Sequence, residues 1–313
     1  MLAFVLRRVA AGVALIGVIS LLSYTLLSIP HLDVGRQLLG QNAPQELVDA
    51  KNAALGLDRP VAVRYLDWLG AALRGDFGTS WFTSENVLQA IANRLPVTLS
   101  LMIGVTVITA LLSFVLGVWA GVRRGVVDRF VQVFAVLGYA LPGFLVTLVI
   151  VLVFAVELGW FPAIGYIGMG ESLTGWLSTI TLPILALSVG SVAGVAQQVR
   201  GSVIDVLRQD YIRTLRARGL PPWRIVLRHV LRNASAPALA VLGMQFVGLL
   251  GGAVLVEQIF GLPGLGSMTV GYTTRGDIPV IMALVMVTVV GVIVINLVTD
   301  LLIGWLNPKA RLR

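Results

Sequence analysis

Four uncharged amides, Gln197, Gln198, Gln245 and Asn296, stand inside stretches that are otherwise apolar. In such a setting an amide either bonds a neighbouring helix or faces a polar ligand, and residue type alone leaves both open. Glu157 and Glu257 lie towards one end of these stretches and Asp300 towards the other. With the amides, Glu257 completes a set of candidates for lining a pathway. An ion-coupled or proton-coupled carrier working alone would call for paired carboxylates or basic groups near the middle of a bilayer, and no such relay is evident. The chain has no cysteine and only two histidines, His31 and His229, far apart in sequence, so a thiolate or histidine metal centre is not expected. A membrane hydrolase lacks its parts too: there is no Gly-x-Ser-x-Gly, no His-Glu-x-x-His and no aspartate dyad within an apolar run. Neither of the two lysines, Lys51 and Lys309, follows a glycine, so no Gly-Lys-Ser/Thr can cradle a nucleotide phosphate. No catalytic residue and no cofactor or metal site is therefore expected in this chain.

The elements that position these groups follow from composition. Of 313 residues, 57% are hydrophobic and 12% charged, with a mean hydropathy of +0.92. Such a chain has lipid as its main solvent. A bilayer core of about 30 Å takes roughly 20 apolar residues as helix. Six stretches qualify: Val9 to Ile29, Pro96 to Gly121, Phe130 to Val156, Leu177 to Val199, Ala234 to Val256 and Ile278 to Leu306. The expected fold is all-α, a single polytopic domain of six transmembrane helices over residues 1–313. The first stretch follows Arg7 and Arg8, as a signal peptide would, but its length and the lack of a small-x-small site mark it as an uncleaved anchor.

Charge sets the orientation. Sixteen of the 23 basic residues fall on the face that carries both termini, including eight arginines from Arg200 to Arg232, while seven fall on the other. By the positive-inside bias the richer face is cytoplasmic. The net charge of +8 is then a topology signal, and no nucleic-acid partner is needed to explain it. The outer face holds most of the acids, among them Asp33, Asp67, Glu171 and Asp277.

Two connections exceed simple turns. The outer one, about residues 30–95, reads as surface helices at Pro44 to Leu55, closed by Gly56, at Pro60 to Leu73 and at Val87 to Arg94. Val63, Leu66 and Leu69 beside Tyr65 and Trp68 suit packing on the bilayer interface or the bundle. The loop serves either as a cap or as part of a docking surface for an external partner. Gly261-Leu262-Pro263-Gly264-Leu265-Gly266 is a bent connection between the last two spans, and Pro142-Gly143 and Pro183 are expected kinks.

The inner connection, about residues 200–233, is the most informative. Ile204, Leu207, Tyr211 and Leu215 fall on one face of a helix that Gly219, Pro221 and Pro222 stop. A second short helix starting at Pro222 places Arg224, Arg228 and Arg232 on one side. An amphipathic helix across the mouth of a bundle can seat in a partner's groove and transmit movement, and its arginines can equally anchor the loop to anionic membrane lipid.

The run Asp210-Tyr211-Ile212-Arg213-Thr214-Leu215-Arg216-Ala217-Arg218-Gly219-Leu220 resembles the EAA loop of ABC importer permeases, in the form used by the dipeptide and oligopeptide branch. Further matches lie in order along the chain: Arg7-Arg8, Leu55-Gly56-Leu57-Asp58-Arg59-Pro60, Leu73-Arg74-Gly75-Asp76-Phe77-Gly78, Arg94-Leu95-Pro96, Phe260-Gly261-Leu262-Pro263-Gly264-Leu265-Gly266, and Asn296-Leu297 with Asp300 ahead of Asn307-Pro308. Together they are similar to the first, or B-type, permease of such importers. Two positions depart from the general pattern: Arg213-Thr214-Leu215 stands where Glu-Ala-Ala is usual, and His229-Val230-Leu231-Arg232 where Ile-x-Leu-Pro is.

The resemblance implies that Asp210, Tyr211, Arg213, Thr214, Leu215, Arg216, Ala217 and Gly219 form a coupling helix seated in a cleft of an ATPase subunit. It also implies two ATPase subunits or domains that bind ATP and Mg, a second permease and an extracytoplasmic substrate-binding protein. The setting would be the bacterial inner membrane, with both termini cytoplasmic, and the substrates dipeptides, longer peptides or, in some branches, nickel complexes or glutathione.

Overall fold

The computed structural model describes residues 2–29 and 33–306. His31 and the terminal Asn307-Pro308, Lys309, Arg311 and Arg313 lie outside the described residues. Among the described residues the chain is helical, with one isolated β-bridge between Thr79 and Asn86. The helices are α1 (Leu2–Ser28), α2 (Val34–Leu39), α3 (Gln45–Ala54), α4 (Val61–Ala72), α5 (Val87–Arg123), α6 (Val126–Ala140) and α7 (Gly143–Ile150), which continues as a π-helical turn over Val151–Glu157. There follow α8 (Leu173–Leu207), α9 (Asp210–Ala217), α10 (Pro222–Ile225), a π-helical stretch Val226–Val230, α11 (Leu231–Phe260), α12 (Leu265–Thr273) and α13 (Ile278–Leu306). Among the described residues five helices are long and apolar enough to cross a membrane, and the bent pair formed by α6 and α7 makes a sixth crossing if counted as one span. The fold is thus an all-α polytopic membrane protein.

Several boundaries differ from the sequence expectation, each for a physical reason. The separate surface helix expected at Val87 to Arg94 is the first part of α5, which runs on through Pro96. The third span is broken where a single kinked helix was expected. Proline has no N–H to donate and pushes the residue before it out of the helical region, so Leu141 is extended (φ −86°, ψ 124°) and the two segments meet at 103°. Pro183, by contrast, sits inside an unbroken α8. The connection after Phe260 holds a helix of its own, α12, which glycine and proline punctuation concealed.

The chain divides into two compact units. The first comprises residues 1–96 and 263–293. In it α3 and α4 fall where the sequence placed them, and Gly56 (φ +70°) closes α3. Tyr65 and Trp68 of α4 pack against Tyr24 of α1, with ring centroids 5.6 and 6.1 Å away, and the Ser20 hydroxyl lies 2.9 Å from the Tyr65 hydroxyl. Leu66, on the other side of α4, is 63% exposed and free to meet lipid. Asp277 begins α13 fully buried, and Ser80 Oγ donates to its Oδ2 at 2.6 Å, tying residues 78–86 to the helix start. Burial pushes the Asp277 carboxyl above the usual carboxylate range, against the Ser80 hydroxyl and the amides of Trp81, Val280 and Phe82, which favour the charged form.

The second unit comprises residues 97–262 and 294–313, and α8 is its centre. Of its apolar window 72% is buried, against 17–44% in the other long helices. Neighbours approach it through glycines: a Cβ added at Gly117 or Gly121 of α5 would stand 2.7 Å from Val199 or Val203, and one at Gly138 of α6 would stand 2.6 Å from Ala193. Small residues let helix backbones approach closely where lipid gives no hydrophobic drive for association. A second tie is polar: Arg200 of α8 is paired with Asp128 of α6, which also accepts from Gln132 Nε2 at 3.1 Å.

Candidate functional site

The inner connection is shorter and more sharply folded than its periodicity suggests. The helix α8 continues to Leu207, and Arg208 and Gln209 then break the chain before α9 begins at Asp210. Ile204 to Leu215 is therefore not one helix. The break shifts the helical phase, so Ile212, and not Tyr211, points into the protein: Ile212 is fully buried, whereas Tyr211 is 37% exposed and receives a bond from Asn233 Nδ2 at 3.0 Å. Ile212 sits in one apolar cluster with Val199, Val203 and Val206 of α8 and with Val230 and Ala234 near the start of the following long helix, and Leu215 packs against the same cluster.

The far end of α9 is closed by a Schellman turn. Gly219 N–H donates to the Arg216 carbonyl at 2.9 Å and Leu220 N–H reaches back to the Leu215 carbonyl at 3.3 Å, which satisfies two carbonyls that helix termination leaves open. Gly219 takes φ +77°, a left-handed conformation that a side chain resists. Leu220 packs on the same cluster as Leu215, and Pro221 prevents the helix from continuing. With these anchors inward, Asp210, Arg213, Thr214, Arg216 and Ala217 face outward. Arg213 pairs with Asp210 at 3.3 Å and the Thr214 hydroxyl bonds the Asp210 carbonyl at 3.2 Å, so the outward face is ordered as well as charged.

The second short helix expected at Pro222 is the start of a long one. From Pro222 the helix runs through the π-helical stretch into α11, ending at Phe260. Thus α9 lies in sequence between two membrane-length helices and shares a buried core with both.

The pathway candidates are spread out. Gln245 of α11 lines a cavity of about 430 Å³ beside Gly143, Thr147 and Ser191, at the break between α6 and α7. The Thr147 and Ser191 hydroxyls bond carbonyls of their own helices, Gly143 and Leu187. Gln198 Nε2 bonds Ser202 Oγ at 3.3 Å within α8, the buried Gln197 Oε1 has no hydrogen-bond partner among the described residues, and Asn296 is exposed. Glu257 is fully buried and accepts from Thr98 Oγ1 at 2.6 Å. Among the described residues, Gln245 is the candidate that lines this cavity, and the others lie apart from it in the chain. Sequence reasoning missed Thr147 and Ser191 there, because hydroxyls in apolar helices are common and carry no periodic signal.

The chain matches known proteins over nearly its whole length. Residues 113–312 match the model for the binding-protein-dependent transport system inner membrane component, and residues 1–102 match that for the N-terminal part of such membrane components. A probable peptide ABC transporter permease, y4tP, from Sinorhizobium fredii is 34% identical over 98% of this chain and 99% of its own length. The oligopeptide transport system permease AppB of Bacillus subtilis is 34% identical and the glutathione transport system permease GsiC of Salmonella typhimurium 35%, each over 99% of both chains. Among solved structures, an inward-facing methionine ABC transporter, MetNI, shares the fold at TM-score 0.57 and 17% identity, covering 72% of this chain and all of that one. On both the matched models and the full-length relatives, the chain belongs to the binding-protein-dependent transport system inner membrane components, the permease subunits of ABC importers.

Proposed function

We propose that this chain is the first, or B-type, permease of a peptide importer, forms half of the translocation pathway with a second permease, and is driven through α9 by partner ATPase subunits. The observation that carries the reading is the geometry of α9: eight residues pinned by Ile212 and closed at Gly219, with an ordered charged face turned outward. A partner that grips this face moves a body whose buried side chains lie in the core of α8 and the helix leading into α11, so displacement of α9 is passed to two long helices. Peptide as the substrate rests on its kinship with peptide permeases 34% identical over nearly the full length. Glutathione, itself a tripeptide, falls in the same substrate class.

In this reading α9 lies at the cytoplasmic face and both termini are cytoplasmic, as the sixteen basic residues on that face favour. The chain offers no phosphate cradle, so ATP and Mg belong to the ATPase partners, and an extracytoplasmic binding protein delivers the peptide.

Co-expression with the products of neighbouring genes and purification in mild detergent provides the test. Recovery of ATPase subunits and a second permease, with ATP hydrolysis stimulated by a peptide-loaded binding protein, is the expected result. A partner-free protein that moves solute down an ion gradient would overturn it.

A further inference from the structure

A groove of about 610 Å³ runs along the last third of α5 to the turn that starts the next long helix. Its walls are apolar and open: Val115, Trp119, Trp223 and Leu227 are 63, 47, 61 and 60% exposed. A neighbouring cavity of about 480 Å³ shares Phe114, Leu227 and Leu231 with it and adds Arg232 and Trp305, the latter 69% exposed. Three tryptophans, Trp119, Trp223 and Trp305, and two arginines, Arg123 and Arg232, thus line these adjoining cavities of the second unit.

The groove has the dimensions and polarity of one lipid leaflet. From Phe114 to Arg123, nine helical steps cover roughly 14 Å, close to the half-thickness of about 15 Å of a hydrocarbon core. Its apolar length lies along the span, and Arg123 stands at the end of α5. Beside it the Arg224 guanidinium lies over the Trp223 ring, 5.4 Å from the centroid. Among the described residues no carboxylate makes a salt bridge with Arg123, Arg224, Arg228 or Arg232, unlike Arg200 and Arg213. Unpaired guanidiniums at the rim of an apolar slot complement a ligand with one anionic head and long hydrocarbon chains. Exposed tryptophans beside arginines are the usual markers of the membrane–water boundary.

We infer that this groove is a binding site for an anionic phospholipid, with an acyl chain along Val115, Trp119 and Leu227 and the phosphate at Arg123 and Arg224. The arginines that hold lipid are then separate from Arg213 and Arg216 on α9, which stay available to a protein partner.

Brominated lipids test this by quenching nearby tryptophan fluorescence. The full chain is placed in nanodiscs of phosphatidylcholine carrying equal small fractions of either acyl-brominated phosphatidylglycerol or acyl-brominated phosphatidylcholine. The anionic probe should quench more strongly, and Trp119→Phe with Trp223→Phe, which removes both groove tryptophans, should abolish that excess. Arg123→Gln with Arg224→Gln should raise the fraction needed for half-quenching roughly 30-fold, while Arg123→Lys with Arg224→Lys, which keeps both charges, should retain the preference. Equal quenching by the two probes, or an unchanged preference in the double glutamine variant, would overturn the inference. So would protection of Trp223 by ATPase subunits or a second permease with no lipid quenching, which would make the groove a protein interface.

Discussion

Replacement of Gly219 isolates the contribution of a single backbone conformation to coupling. A Cβ added at this position meets nothing within 4 Å, so no steric clash clouds the result and only the left-handed φ of +77° resists a side chain. For an ordinary residue that resistance is about 1–2 kcal/mol, and asparagine is largely exempt. The closed-to-open ratio of the Schellman turn should therefore fall by about 5- to 30-fold in Gly219→Ala, further in the β-branched Gly219→Val, and little in Gly219→Asn. Two readouts follow. Hydrogen exchange at the Leu220 amide, whose partner is the Leu215 carbonyl, should quicken by the same factor. In proteoliposomes with the ATPase and binding-protein partners, transport per ATP hydrolysed should fall in the order Gly, Asn, Ala, Val, while membrane insertion stays unchanged. A Gly219→Val variant that couples like the parent would refute the role given to the turn, and one that fails to insert would make Gly219 a determinant of folding instead.

Charge reversal of Arg213 and Arg216 to Glu, both on the outward face of α9, should weaken co-purification of the ATPase subunits without altering insertion; a change confined to lipid attachment would contradict the coupling role. Asp128→Ala leaves Arg200 without its partner between α6 and α8 and should cost about 3 kcal/mol, read as a lower Tm of the detergent-solubilised protein, with the loss reduced when Arg200→Gln is added. Asp277 has its carboxyl raised by burial, so the fold favours the protonated form. The stability this confers is complete below the ordinary aspartate range and is lost as pH rises through the folded value. Amide protection across residues 78–86 should therefore decline with rising pH, and Asp277→Asn should flatten the profile.

The long helices were legible because the bilayer demands length and apolarity, and because charge sorted their ends. Facing was less legible. In a chain surrounded by lipid, exposed and buried sides are both apolar, so Ile212 and Tyr211 could be told apart only once the break at Arg208 and Gln209 fixed the phase of α9. Proline had two meanings that sequence alone did not separate. Pro96 and Pro183 are carried inside continuous helices, whereas Pro142 follows an extended Leu141 and turns the chain sharply. Pro222 does begin a helix, but apolarity alone could not show that it runs on for 39 residues. In the candidate site the chain positions of Gly219 and the charged face of α9 could be read directly, while the cavity at Gln245 depends on a bend no local pattern announces.

The glycines that surround α8 have a mechanical consequence. Side chains that interdigitate act as gear teeth, and one helix can pass another only by lifting over them in whole steps. At Gly117, Gly121 and Gly138 the teeth are missing on one side, and α8 meets its neighbours across smooth backbone. Such contacts behave as plain bearings: the surfaces stay close enough to exclude lipid, yet small rotations cost little because no rotamer has to change. The Arg200–Asp128 pair and the Ser113 hydroxyl, bonded to the Val192 carbonyl at 3.2 Å, are then latches on this shaft. Motion fed in at α9 can be spread along α8 as a continuous turn instead of a series of jumps.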